Sequence, residues 1–287
     1  PILKGHFSAF SKSVNANDFR GIAISPAISK VFKHCIVDCG IRQGGVLSPY
    51  LFALYIDSVI EKVRRSRVGC EIKLESVGII VYADDILLVA PTVTALQLLL
   101  KMCENELNWL AMSINASKSA CLRIGKDYKT VPVCIRTIDG REIPWQDNVR
   151  YLGMHLVANN VFTCSFDNAK KSYYRAFNAI YSKIGGIASE EVILEMLKMK
   201  CLPVLLYGTD VCPVNKKQLK SLEYVLTSSL MKIFRTKSRD VVDDCMKFFG
   251  LSSIENIVLK RKNSFEHKYN DICKYNVVCC AVHSIGL

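Results

Sequence analysis

IIVYADDILLVA, residues 79–90, places two adjacent aspartates in the middle of the most apolar stretch of the chain. Both arms are rich in Ile, Val and Leu, as buried strands are, so VGIIVYADDILLVAP (77–91) predicts two short strands with the aspartates at or near the turn between them. A buried, unpaired carboxylate is costly to ionise, and two adjacent carboxylates repel. A divalent cation relieves both costs. All-oxygen ligands beside a phosphate substrate suit Mg²⁺, and a pair of such ions can stabilise the entering and leaving oxygens of a phosphoryl transfer. The competing reading of the pair alone is an exposed Asp-Asp turn.

Outward from this hairpin, the pattern is mixed. SPYLFALYIDSVIEKVRRSR (48–67) has Phe52, Tyr55, Ile56, Val59, Ile60 and Val63 at helical spacing, Ser48 and Pro49 at its start and Arg64, Arg65 and Arg67 at its end. TVTALQLLLKMCENELNWLAM (92–112) predicts a second helix with Thr92 as its cap. SINASKS then reads as a loop, ACLRI as a strand, Asp139-Gly140 as a hairpin turn and NVRYLGMHLV (148–157) as one further strand. Beyond residue 165 the periodicity is helical over 166–184, 189–202, 216–234, 241–249 and 254–274. The expected architecture is an α+β domain followed by a basic helical one, with the boundary near 160.

The 287 residues suffice for a sizeable core in one large domain or two smaller ones. The net charge is +12, divided between 19 Lys and Arg against 12 Asp and Glu in residues 161–287 and 19 against 14 in residues 1–160. A basic surface spread over the whole chain favours polyanions, nucleic acid first. Thirteen cysteines, an odd number at scattered spacings, point to a reducing compartment, cytoplasmic or nuclear, rather than to a disulfide framework. Cys273, Cys279, Cys280 and His283 lack a CxxC pair and do not predict a zinc site. No apolar run reaches membrane-spanning length, which predicts a soluble chain with no membrane partner. The start at Pro1 predicts a processed product or fragment.

Tyr82-Ala83-Asp84-Asp85 resembles the catalytic motif of reverse transcriptases, and IRQGGVLSPYLFALYI (41–56) resembles the RQG…SP block and helix that precede it in the non-LTR (LINE-type) retrotransposon enzymes. NASKS (115–119), Tyr151-Leu152-Gly153, LPVLLYG (202–208) and FRGIAISPAISKVFKHCI (19–36) are similar to further blocks of the same family, in the same order. The resemblance implies a right-hand polymerase palm, an antiparallel sheet with helices, followed by a helical thumb-like domain. On this reading residues 1–36 are a remnant of the fingers, 37–160 the palm, and 161–287 the thumb and connection region.

The activity so implied is RNA-directed DNA synthesis, a nucleotidyl transfer with RNA template, DNA primer and dNTP as partners and two Mg²⁺ as cofactors. Asp84 and Asp85 would ligate metal. Gln43 and Gly44 would lie against the incoming nucleotide and the template. Tyr82 would support the primer end, Lys118 would stand near the departing pyrophosphate, and Arg20 would reach the triphosphate.

One departure from the family matters. There, a strand bearing the first catalytic aspartate lies between the fingers block and the RQG block and packs beside the catalytic hairpin. Here FKHCI ends at Ile36 and CGIRQGG begins at Cys39, which leaves no room for that strand. Neither Asp38 nor Asp57 is placed to replace its carboxylate. The expectation is a decayed or mis-joined copy with severely reduced catalysis. The hairpin would lack its neighbour, or would find a short surrogate from residues 34–41. The alternatives are a non-catalytic nucleic-acid-binding relict and an unrelated metal-dependent phosphotransferase or nuclease.

Overall fold

The structure of the chain, a computed structural model, describes residues 2–9, 48–72, 75–130 and 133–273, the first of these segments by its backbone. The described residues fall into two compact units, one running to Val149 with Ala158–Val161 added, the other comprising Arg150–Val157 and the chain from Phe162 onward.

The first unit is built on an antiparallel sheet. Strands β4 (Ile79–Tyr82) and β5 (Asp85–Val89) form the expected hairpin. The strand beside β5 is β1 (Ile2–Ala9), paired from Ile2↔Val89 to His6↔Asp85. The far edge of β1 is shared end to end: Phe7–Ala9 pair with β6 (Met112–Ile114), and Ile2–Lys4 pair with β7 (Ala120–Leu122). The order across the sheet is β4-β5-β1-β6, with β7 continuing the last position. The neighbour of β5 therefore comes from the first nine residues and not from 34–41. Backbone amides and carbonyls along a strand edge need partners, and any extended segment that reaches them can serve.

Helices α1 (Ser48–Ser66) and α2 (Val93–Trp109) pack on this sheet. Ile56, Val59 and Val63 of α1 and Leu96, Leu99, Leu100, Cys103 and Leu107 of α2 repeat at three and four residues and are buried with Ile79, Ile86 and Leu88. Along β4 burial alternates, with Ile79 inside and Ile80 and Tyr82 exposed. Thr92 caps α2 by accepting the Ala95 N–H at 3.1 Å. The helix stops at Trp109, short of the expected 112, because Ala111 takes a φ of +54° that no α-helix continues through. Met112–Ile114 are then free to join the sheet, although SIN reads as loop by composition.

Two small hairpins complete this unit, β2 (Glu71–Ile72) with β3 (Glu75–Ser76) and β8 (Ile135–Arg136) with β9 (Glu142–Ile143). The second turns where Asp139-Gly140 predicts it, with Gly140 at φ +79° donating its N–H to Thr137 O at 2.9 Å. It docks on α2 through two side chains. Gln97 exchanges hydrogen bonds with the backbone of Arg136, and Glu104 Oε2 accepts the Ile138 N–H at 2.9 Å.

NVRYLGMHLV is a hairpin rather than the single strand expected of it. Strands β10 (Asn148–Tyr151) and β11 (Met154–Val157) are joined by Leu152 and Gly153 at φ +46° and +83°, the two positive values of a type I′ turn. β12 (Thr163–Ser165) extends this sheet in the order β10-β11-β12. The rest of the second unit is helical: α3 (Asp167–Ile184), α4 (Glu190–Met196), α5 (Leu202–Leu205), α6 (Lys216–Ile233), α7 (Arg239–Phe248) and α8 (Ile254–Cys273). Its core holds Tyr173, Phe177, Leu197, Leu205, Leu226, Leu230, Val242 and Ile254. Between α4 and α5 the chain makes a π-helical turn, Leu197–Cys201, with the Leu202 N–H reaching five residues back to Leu197 O. Pro203 follows at once and has no N–H to donate, so the ordinary ladder is already interrupted there. No helix among the described residues is long and apolar enough to cross a membrane.

Candidate nucleotidyl-transfer site

The β4–β5 hairpin closes through a two-residue loop. Tyr82 and Asp85 are cross-strand partners, so Ala83 and Asp84 alone make the turn. Ala83 has φ +51° and Asp84 does not share a positive φ, the sign pattern of a type II′ turn. An alanine pays sterically for that conformation, and such backbone outliers persist only where the surrounding structure holds them. The flanking ladder does so here, with Ile86, Leu87 and Leu88 all buried. The outcome is that Asp84 projects at the tip, exposed, while Asp85 opens β5 half-buried. Tyr82, on the outward side of β4, is 63% exposed, which makes its ring available as a surface at the same end of the hairpin.

Lys118 enters from the other side of β1. Between Ile114, paired with Phe7, and Ala120, paired with Lys4, the chain makes a compact turn at the level of Gly5 and His6. His6 is also the partner of Asp85. The turn is tied by its own side chains. Asn115 Oδ1 accepts from Ser117 Oγ at 2.7 Å and from the Lys118 N–H at 3.2 Å, while Ser119 Oγ donates to Asn115 O at 2.8 Å. This is an Asx-type turn, and it leaves the Lys118 side chain exposed. Two strand spacings separate its roots from Asp85, roughly 10 Å.

Tyr82, Asp84, Asp85 and Lys118 thus belong to one sheet, with the first three on one hairpin end. Arg20, Gln43, Gly44 and Asp38 lie outside the described residues. Among the described residues no three His, Cys, Asp or Glu side chains are grouped so as to hold a metal ion. The strand next to Asp85, ILKGHFSA, contains a lysine and a histidine but no carboxylate. Its role was not legible beforehand: with Gly5 in its centre and no clean alternation, nothing in its composition names β5 as partner. A second pairing also escaped the sequence. Tyr207 Oη, in LPVLLYG, donates to Leu152 O, in YLG, at 2.8 Å, so two separately read blocks meet in the second unit.

Residues 18–156 match the family described as reverse transcriptase (RNA-dependent DNA polymerase), a span that contains the hairpin, the Asx turn and Tyr151-Leu152-Gly153. The chain is 25% identical over 221 residues to the retrovirus-related Pol polyprotein from type-1 retrotransposable element R2 of Popillia japonica, covering 74% of this chain and 29% of that protein. It is 28% identical over 135 residues to the Pol polyprotein from type-2 retrotransposable element R2DM of Drosophila melanogaster, covering 44% of this chain and 12% of the relative. Over 123 residues it is 29% identical to the corresponding type-1 R2 protein of Nasonia vitripennis, covering 40% and 12%. The chain spans less than a third of the length of these curated relatives. Residues 18–156, just under half of the chain, therefore resemble a reverse transcriptase domain, and the relatives are Pol polyproteins of R2 retrotransposable elements.

Proposed function

We propose that this chain is an RNA-directed DNA polymerase domain by descent, one that binds RNA template, DNA primer and dNTP but is impaired in nucleotidyl transfer. The observation that carries the reading is the YADD hairpin, with Asp84 at the tip of a strained two-residue loop and Asp85 at the head of a buried strand. In this reading Asp84 and Asp85 supply carboxylates to Mg²⁺, Tyr82 supports the primer end, and Lys118 serves the departing pyrophosphate. Gln43, Gly44 and Arg20 contact nucleotide and template.

The metal requirement is where the described residues fall short. Two adjacent carboxylates can serve one hard divalent ion that also binds phosphate oxygens. Two ions sharing a transferred phosphoryl group need more negative charge than that. The strand paired with β5, ILKGHFSA, contains no Asp or Glu. Impairment rests on the sequence, which leaves no room between Ile36 and Cys39 for the strand that bears the first aspartate in the family.

Primer extension on a primed RNA template tests the reading, with binding measured in parallel across salt. The expected result is binding that weakens steeply as salt rises, because each neutralised phosphate releases counterion. Extension is expected to be absent with Mg²⁺ and slight with Mn²⁺. Robust Mg²⁺-dependent extension that Asp84→Asn abolishes would show a complete site and overturn the impairment. Failure to bind primed template at low salt would overturn the polymerase reading itself. The alternative, a nucleic-acid-binding relict, is favoured by the same missing carboxylate; it predicts binding with no extension under either metal.

A further inference from the structure

The second unit holds a pair of cysteines that the polymerase reading does not use. Cys164, in β12, is fully buried, and its thiol donates to Cys212 Sγ at 2.9 Å. Cys212 lies between α5 and α6 and is half-exposed. The two are free thiols 48 residues apart in sequence. Around them the same two segments are joined by a second link, from Gln218 Nε2 to Cys164 O at 2.7 Å. Gln218 also belongs to the capping box of α6, where the Asn215 side chain accepts its N–H at 2.8 Å and its own side chain accepts the Asn215 N–H at 3.0 Å. The cysteine pair therefore sits where the three-stranded sheet meets the start of a core helix.

We propose that Cys164 and Cys212 are a redox-responsive dithiol that closes to a disulfide and clamps β12 to the start of α6. Proximity is already built: the sulfurs are within about 1 Å of bonding distance, and side-chain rotation of the half-exposed Cys212 can close that gap. The order of reaction follows from burial. Cys212 is the sulfur a small-molecule disulfide can reach, and Cys164 is the one that resolves. The hydrogen bond from Cys164 draws the Cys212 thiol below its ordinary value, against burial and the nearby Asp210 carboxylate, which favours the attacking thiolate. Other buried thiols contrast with it: burial pushes Cys103 and Cys121 up to about 12, and each lacks a sulfur partner at this distance among the described residues.

With glutathione disulfide as oxidant the atoms balance. The Cys212 thiolate attacks one glutathione sulfur, forms a mixed disulfide and releases one glutathione thiolate. Cys164 then gives up its proton and attacks the Cys212 sulfur, releasing the second glutathione thiolate. The released thiolates take up the two protons from the cysteines, and the two electrons pass from the dithiol to the oxidant.

The test is equilibration of the chain in glutathione buffers from reducing to oxidising, followed by alkylation and peptide mapping. The expected product is a Cys164–Cys212 linked peptide that forms before any linkage involving Cys103, Cys121 or Cys201 and disappears on reduction with dithiothreitol. The thermal midpoint should rise by roughly 5–10 °C on oxidation, because the bridge closes a long loop, and Cys212→Ser should abolish that rise. Cys212 recovered as a stable glutathione adduct with Cys164 still alkylatable after unfolding would overturn the proposal. So would a linkage of either residue to another cysteine in its place. Because the mapping uses the unaltered chain, the result does not depend on how well the variant folds.

Discussion

The phenol of Tyr207 donates a 2.8 Å hydrogen bond to the carbonyl of Leu152, at the turn between β10 and β11. The turn is shaped to receive it. Leu152 and Gly153 both have positive φ, and a Cβ on Gly153 would stand 3.1 Å from the Tyr207 ring. Ring and turn are fitted to each other, and the link joins the end of the matched domain to the helices that follow.

Tyr207→Phe keeps the ring and removes the hydrogen bond, so it should cost about 0.5–1 kcal/mol at this partly exposed site. Gly153→Ala should cost more, about 2 kcal/mol, since it meets both an unfavourable φ and the ring. Urea unfolding midpoints rank the two. If Tyr207→Phe is the more damaging, the fit of the turn is not what matters.

Ala83 in the β4–β5 hairpin carries a φ of +51° that glycine adopts without strain. Ala83→Gly should leave stability unchanged or raise it by up to about 1 kcal/mol, whereas Ala83→Val should lower it by about 1–3 kcal/mol. Thermal unfolding of the pair checks the turn. Equal effects of Gly and Val would mean that the loop is not held in this conformation.

Gly78 and Gly69 approach backbone to backbone at the foot of β4. A Cβ on Gly78 would lie 2.9 Å from Gly69 Cα, and neither chain has a flexible side chain to yield. Gly78→Ala should therefore cost about 2–3 kcal/mol by overpacking, far more than alanine at the open positions Gly125 or Gly140 through space alone. Comparing Gly78→Ala with Gly140→Ala by denaturant titration separates crowding from backbone strain, as Gly140 has positive φ and open surroundings.

Glu104 is 7% exposed and accepts the Ile138 N–H, and burial raises its carboxyl above the ordinary range despite that hydrogen bond. The folded state thus binds the proton more tightly than the unfolded state. Stability should fall as pH rises from the ordinary carboxylate value through the raised folded one. Glu104→Gln keeps an acceptor for Ile138 and removes the buried charge, so it should match or exceed the parent at pH 7 and lose this part of the pH dependence. Glu104→Ala strands the amide and should cost about 1–3 kcal/mol. A parent and Glu104→Gln with the same pH slope in weak acid would show that this carboxyl does not titrate as described.

Helices and the central hairpin were legible because short-range patterns decide them. Thr92 before an apolar 3–4 repeat starts α2, and the polar break in IIVYADDILLV, between two apolar arms, marks the turn between β4 and β5. The ends were less so. Ala111 leaves the helical region although alanine favours it, because Met112–Ile114 gain a sheet partner in β1. YLGM reads as continuous strand, yet Leu152 accepts a positive φ because the ring of Tyr207, 55 residues on, packs and bonds against the turn.

By itself the sequence determined where the two aspartates stand, at the mouth of an apolar hairpin, and that helices flank it. Hydrophobic period and turn chemistry act over about ten residues and carry that information locally. Tertiary structure alone decided that Ile2–Ala9 lies against β5, that Lys118 enters at the level of His6, and that Cys164 meets Cys212. A strand edge offers the same row of amides and carbonyls to any extended segment, so side chains do not name the partner. The choice is made by which segment the rest of the chain can bring there while burying its own apolar face.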